Sequence, residues 1–297
     1  MNGPRHRHTR ARPDIDAPAV VHLRPGRRLA RFIVQDVVTY DGFVTIYRAR
    51  GVRHSGELLL HEFFPAACAT RNDDGSIRAS TRGRELEYSR GSQRFLELAD
   101  RLAGVRHANV EEVTDVLAVN GTAYLVTADL QAESLQQRYA DRQRFPADEV
   151  LGMALGLLAG LERIHLAGLI HGDIGESSIR FTGAVPQLVH TPAALLANFR
   201  RLTMAAPSID PRRAPAAAGS ESAPDIYEFG LMLHRLAKGK SARNDAGPDD
   251  PSGALMRAVL RVIERAFSGP REFRPRSAGE WRGEFEMVRD LPGADAR

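Results

Sequence analysis

His171-Gly172-Asp173-Ile174-Gly175-Glu176-Ser177-Ser178-Ile179 is the stretch that decides the fold of this 297-residue chain. Just before it, Val150, Ala154, Leu157, Leu158, Leu161 and Ile164 form one helical stripe within residues 147–167. Pro146 suits that helix's first turn and Gly168 its end. After it, residues 186–189 predict a strand, and residues 223–237, 253–267 and 277–288 predict helices. Residues 203–224 and 239–252, rich in Ala, Pro, Ser, Gly or Asp, predict mobile loops. No lysine precedes the stretch: of 41 basic residues only Lys238 and Lys240 are lysines, leaving 39 arginines.

Upstream, residues 31–38, 43–50 and 57–64 are short β-branched or aromatic runs separated by Gly and polar turns, which predicts three antiparallel strands. Residues 84–105 predict a helix, and residues 112–118 and 122–128 predict two more strands. Between those two lies Asn120-Gly121, whose residues both tolerate the positive φ of a tight hairpin.

Residues 1–31 hold eight Arg against Asp14 and Asp16, a local charge of +6 that leaves −2 for the rest of a +4 chain. Residues 1–28 lack a helical or strand period and predict a disordered basic tail. Nucleic-acid or anionic-membrane contact through this tail is an open alternative to plain solvation, weakened by the lack of interleaved aromatics. Pro4, Pro13 and Pro18 argue against an amphipathic targeting helix. The apolar run at 150–161 falls well short of the ~20 residues of a membrane span, so a soluble cytoplasmic protein is the expectation. The single Cys68 excludes an internal disulfide and reads as a packed side chain.

The order of these elements and several local strings resemble the bacterial serine/threonine protein kinases over roughly residues 29–290. His61-Glu62-Phe63-Phe64-Pro65, followed by Arg71, looks like the family's third-strand end, and His107-Ala108-Asn109-Val110 like its His-Pro-Asn-Ile step. The segment from Asn120 to Val126 looks like the fifth strand, and that from Arg274 to Trp281 like the closing helix. The opening stretch looks like the catalytic loop. The resemblance implies an α+β, two-lobed fold: a five-stranded antiparallel N-lobe with one main helix at 29–130, a mostly helical C-lobe at 131–291, and disordered ends at 1–28 and 292–297. His171 matches the histidine packed beneath the catalytic loop and Asp225 the helix aspartate that steadies it, so both carry structural roles.

The residues with chemical roles in that family are mostly replaced. Its phosphate loop falls at residues 38–44, where Thr39, Asp41 and Val44 stand at glycine positions and only Gly42 remains. Asp41 would set an anion beside phosphate oxygens. The phosphate-binding lysine is His61, its helix glutamate is Leu98, and Thr127 belongs to the same pocket. The magnesium aspartate is His190 and the loop asparagine Ser178, with Gly175 at the loop lysine, so neither protein ligand to Mg²⁺ is kept. The Ala-Pro-Glu motif of the activation segment maps onto Asp210-Pro211-Arg212. Asp173 alone stands where the family orients the substrate hydroxyl, and it reads here as a vestigial loop hydrogen-bonding residue.

The resemblance therefore implies a pseudokinase: no enzyme, no cofactor, and a scaffold or regulator that binds another protein of unknown identity without holding Mg-ATP in the usual way. Two alternatives stay open. One is an atypical nucleotide-dependent transferase using the cleft around Asp173, His61 and His190, with Glu62 and Glu176 as conceivable further ligands. The other is a transition-metal site of His61, His190 and Asp173. An occluded cleft would favour the binding module, and an open cleft with converging acids the enzyme.

Overall fold

The computed structural model describes residues 22–291 apart from 53–55, 130, 143, 205–222, 240–250 and 269. The expected tail through residue 21, the Asp210-Pro211-Arg212 match, most of both predicted loops and the 292–297 terminus lie outside the described residues.

The N-terminal lobe is built from β1 (Arg28–Leu29), β2 (Phe32–Tyr40), β3 (Val44–Gly51), β4 (Glu57–Phe63), β5 (Ala69–Arg71), β6 (Ile77–Ala79), α1 (Glu85–Ala103), β7 (Val113–Val119) and β8 (Thr122–Ala128). The main sheet is antiparallel with order β1-β2-β3-β4-β8-β7, and β5 and β6 form a separate hairpin. Asn120 and Gly121 join β7 to β8 with φ of 59° and 73°.

Strand alternation sorts the residues of β4 onto two faces. Phe63 packs towards Phe95 and Leu98 of α1, while Leu58 and Leu60 join Tyr47, Tyr124 and Val126 in a second core behind the sheet. That second core also takes in residues 22–29. Leu23 is buried in it with its N–H on Tyr47 Oη at 3.2 Å, and residues 26 and 27 exchange backbone bonds with Val34. Burying one leucine side chain is worth roughly 2 kcal/mol, and it acts together with the backbone bonds of Gly26 and Arg27 to Val34 and the pairing of buried Leu29 with Phe32 in β1, the sheet's sixth strand.

The C-terminal lobe holds α2 (Leu135–Asp141), α3 (Ala147–Leu166), the hairpin β9 (Ile179–Thr182) and β10 (Val185–Leu188), α4 (Pro192–Met204), α5 (Ala223–Lys238), α6 (Pro251–Glu264) and α7 (Ala278–Arg289). The apolar stripe of α3 is buried against α5, α6, α7 and β10. Ser134 and Gln137 close a capping box on α2. Trp281 is fully buried, edge-on to Phe229, with its indole N–H on Val262 O at 3.1 Å.

Helix α4 is absent from the sequence reading, which assigns no element between the strand ending at residue 189 and the loop starting at residue 203. Its start is nonetheless written in the chain: the Thr191 hydroxyl accepts the N–H of Ala194 at 3.1 Å, and Pro192 occupies the first turn, where its missing N–H costs nothing. Among the described residues, no helix is long and apolar enough to cross a membrane.

Candidate functional site: a catalytic-type loop and a remodelled cleft

The loop at residues 171–178 hangs on Asp225, in the first turn of α5. This carboxylate is fully buried and accepts the N–H of His171 at 2.8 Å, that of Gly172 at 2.7 Å and Nε2 of His165 at 2.8 Å. Burial pushes its pKa up, but the bonds from His165 and Gly172 outweigh that and hold it below the ordinary aspartate value. His171 is buried beneath the loop with Nε2 3.2 Å from Val189 O, which makes Nε2 the donor. Desolvation lowers its pKa against the opposing pull of Asp225, so the ring is neutral.

Gly172 has φ +73°, and a Cβ there would lie 2.6 Å from Cβ of Ala197 in α4. Asp173 is half-buried and its Oδ2 accepts the Thr191 hydroxyl at 2.5 Å. Ser178 turns back on the loop, accepting from Gly175 N and donating to Gly175 O at 3.0 Å each.

The turn between β2 and β3 is closed by its own acid. Asp41 Oδ1 accepts the N–H of Phe43 at 2.9 Å and that of Val44 at 2.8 Å. Two amides of the segment that matches a phosphate loop are thus bound to an internal carboxylate.

His61 and His190 meet on the inner wall. His61 is buried with Nε2 3.3 Å from Thr127 Oγ1, and desolvation followed by the nearby His190 depresses its pKa to about 3. A group with that value is neutral at physiological pH and cannot supply the charge of a phosphate-binding lysine. His190 gives its backbone N–H to Glu111 Oε2 at 2.7 Å, and its Nε2 lies 3.1 Å from Glu111 O. Leu98 is fully buried in the core and Glu97 is exposed, so no carboxylate of α1 takes the place of the helix glutamate.

The cleft between the lobes is an open cavity of about 730 Å³. Of the residues singled out from sequence, Thr39, His61 and His190 line it. Asp41, Gly42, Val44, Leu98, Thr127, Asp173 and Ser178 do not. Thr127 stands behind His61, and Val44 packs in the core.

Sequence reading missed Arg48, Glu57, Glu111, Asp129 and Arg180, which also line the cavity. Arg48 ties Asp129, just after β8, to the sheet: its Nε is 2.8 Å from Asp129 Oδ2 and 3.5 Å from Glu57 Oε2, and its Nη1 3.3 Å from Asp36 Oδ2. Arg180 donates to Ala132 O at 3.0 Å. No local motif marks these pairs, because Arg48 and Asp129 are 81 residues apart.

Glu62, a conceivable further ligand of the cleft from sequence, is fully buried behind the sheet. It accepts from Arg71, from Tyr47 Oη at 3.0 Å and from Tyr124 Oη at 2.5 Å. Strand alternation puts it on the face opposite His61, away from the cleft. Glu176 pairs with Arg235 at 2.9 Å.

Mg-ATP, which the fold implies, does not fit these groups. The turn amides are taken by Asp41, and the residues at the two magnesium positions, His190 and Ser178, bond to the chain itself. Among the described residues, no group of three or more His, Cys, Asp or Glu is arranged to hold a metal ion. The suggested trio of His61, His190 and Asp173 is not assembled, since Asp173 is not part of the cavity wall and holds Thr191.

Fold and loop together define a protein-kinase-like domain. The chain is homologous to bacterial serine/threonine protein kinases: it is 28% identical over 170 residues to AfsK of Streptomyces coelicolor, covering 55% of this chain and 21% of that protein. It is also 24% identical over 279 residues to pkn2 of Myxococcus xanthus, covering 84% of this chain and 32% of the relative. The chain thus spans about a fifth to a third of the length of the curated relatives it matches.

Among solved structures, the apo form of PpkA-294 matches with a TM-score of 0.63 and 25% identity, over 89% of this chain and 99% of the other. The PknI kinase domain of Mycobacterium tuberculosis matches in fold, with a TM-score of 0.56 and 19% identity over 90% of this chain and 100% of the other. No family model matches the chain. These similarities overturn the expectation that the chain is no enzyme: its homologues are serine/threonine kinases, and they point to a kinase enzyme.

Proposed function

We propose that this is a degenerate kinase-like domain that regulates or scaffolds another protein, in the cytoplasm, and whose cleft does not take Mg-ATP in the family's usual way. The observation that carries the reading is Asp41. Its carboxylate occupies the amides of Phe43 and Val44, so a bound phosphate would have to displace an anion already in place. Neutral His61 adds no compensating charge. The packing of the C-terminal lobe around Asp225 and α3 is intact, which supports a protein-binding role.

A second reading is an atypical nucleotide-dependent transferase, favoured by the homology to kinases and by a cleft open enough to admit a nucleotide-sized ligand. Its acids, Glu57, Glu111 and Asp129, are each bonded to groups of the chain, so they would have to rearrange to serve a metal.

A titration with ATP, ADP and AMP, with and without Mg²⁺ or Mn²⁺, read by the unfolding temperature, separates the two. The first reading expects no saturable shift with Mg-ATP. A saturable shift together with label transfer that is lost in Asp173→Ala would establish the second.

A further inference from the structure

Behind the N-lobe sheet, beside the buried Glu62 network, lies a second cavity of about 460 Å³. Two pieces of chain wall it: the segment 22–27 ahead of β1, and the turn of the β5–β6 hairpin at residues 72–75, with Arg71 at its base. The walls touch. A Cβ added at Gly75 would be 3.3 Å from Leu23 Cδ2, and Arg27 donates to Asp74 O at 2.5 Å.

The charges of the two walls are sorted by sign. Arg24 and Arg27 stand on the first, Asp73 and Asp74 on the turn, and the buried Arg71 is neutralised by its pair with Glu62. Asp74 Oδ1 is occupied by the N–H and hydroxyl of Ser76, at 2.9 Å and 2.6 Å. Arg24 and Asp73 are exposed, and among the described residues neither side chain has a hydrogen-bond or ion-pair partner. Between them stands His22, whose ring packs edge-on to Tyr40 and Tyr47 at 5.7 Å and 6.4 Å. Burial, then Arg71, lowers its pKa, so the ring is neutral at physiological pH. Its Nδ1 is buried and has no partner among the described residues, a destabilising arrangement that a bound polar group would relieve.

We propose that this cavity binds a small zwitterion of the free α-amino-acid type, its carboxylate on Arg24 and Arg27 and its ammonium group on Asp73. A plain anion or cation entering here meets as many repelling charges as attracting ones, whereas a zwitterion matches both walls at once. The volume lies within the range of small-ligand sites. Bound, the ligand ties segment 22–27 to the hairpin turn, adding to the hold that Leu23 has on the sheet. The site is independent of the cleft and of whether the cleft takes a nucleotide, because none of its groups is Asp41, His61 or His190.

The test is the unfolding temperature of the full chain titrated with each free L-amino acid in turn, then with the N-acetyl and methyl-ester forms of the one that raises it most. At least one free amino acid should give a saturable rise. Capping either end removes one charge and should weaken binding at least about tenfold. Arg24→Gln and Asp73→Asn alter exposed side chains, so both should unfold like the parent without ligand, and each should weaken binding by a similar factor. His61→Phe, on the other face of the sheet, should keep the rise. The proposal is overturned if no amino acid raises the unfolding temperature, or if the rise survives both caps or both rim substitutions. A rise lost in His61→Phe but kept in Arg24→Gln and Asp73→Asn would put the ligand in the cleft and overturn it too.

Discussion

Replacing Asp225 tests whether one carboxylate holds the catalytic-type loop in shape. Three donors converge on it within 2.8 Å, two of them backbone amides of the loop. Alanine would leave those two amides facing a cavity in a site closed to solvent. An unsatisfied buried donor costs about 1–3 kcal/mol, so the pair alone should cost about 2–6 kcal/mol. That is a large part of the roughly 5–15 kcal/mol that holds a domain folded. Asparagine keeps one acceptor oxygen but turns an NH₂ towards the other donor, so Asp225→Asn should cost less, about 2 kcal/mol.

The pH dependence has a definite sign. The folded carboxyl sits below its unfolded value, so its contribution is complete above about pH 3.9 and is lost as pH falls through the folded value. Urea unfolding of the parent and both variants at pH 7, followed by circular dichroism, measures the costs. A loss below about 1 kcal/mol in Asp225→Ala, on the order of one ordinary hydrogen bond, would refute the assignment of Asp225 as the anchor of the loop.

Glu62→Gln should destabilise the N-lobe by about 3–5 kcal/mol, because it removes the charge from a buried pair with Arg71 and puts an NH₂ where one of the two tyrosine hydroxyls finds its acceptor oxygen. Urea unfolding reads it, and a cost within about 0.5 kcal/mol, typical of an exposed site, would contradict the buried network. His61 binds a proton in the unfolded chain near pH 6.5 but in the folded one only near pH 3, so stability should fall as pH drops below about 6.5. One such group contributes a slope of at most about 1.4 kcal/mol per pH unit. His61→Phe should flatten the profile between pH 6 and pH 4, and an identical slope in the variant would show that His61 is not buried neutral.

What the sequence shows of this fold follows the range over which its signals act. The α3 stripe and the Asn120-Gly121 turn are written in local spacing, and they are where the structure places them. Helix α4 carries a local signal too, Thr191-Pro192, but that dipeptide falls where the resemblance expects a magnesium motif and an irregular segment.

The network of Glu62 with Arg71, Tyr47 and Tyr124 and the Arg48–Asp129 tie were illegible for a different reason. Their partners stand on different strands, and nothing in either neighbourhood marks them. The segment 22–28 was hidden by composition, since its arginines and proline read as a tail while Leu23 and the backbone bonds to Val34 hold it on the sheet.

The measurement that bears most directly on the account is equilibrium binding of Mg-ATP, read as a shift of the unfolding temperature across a titration. A ligand that binds only the folded state adds about 2.7 kcal/mol at 100 times its Kd, which for a chain of this size is a rise of about 4–5 °C. With Asp41 on the turn amides and His61 neutral, the account predicts no saturable rise. A saturable rise of that size that requires Mg²⁺ would contradict it.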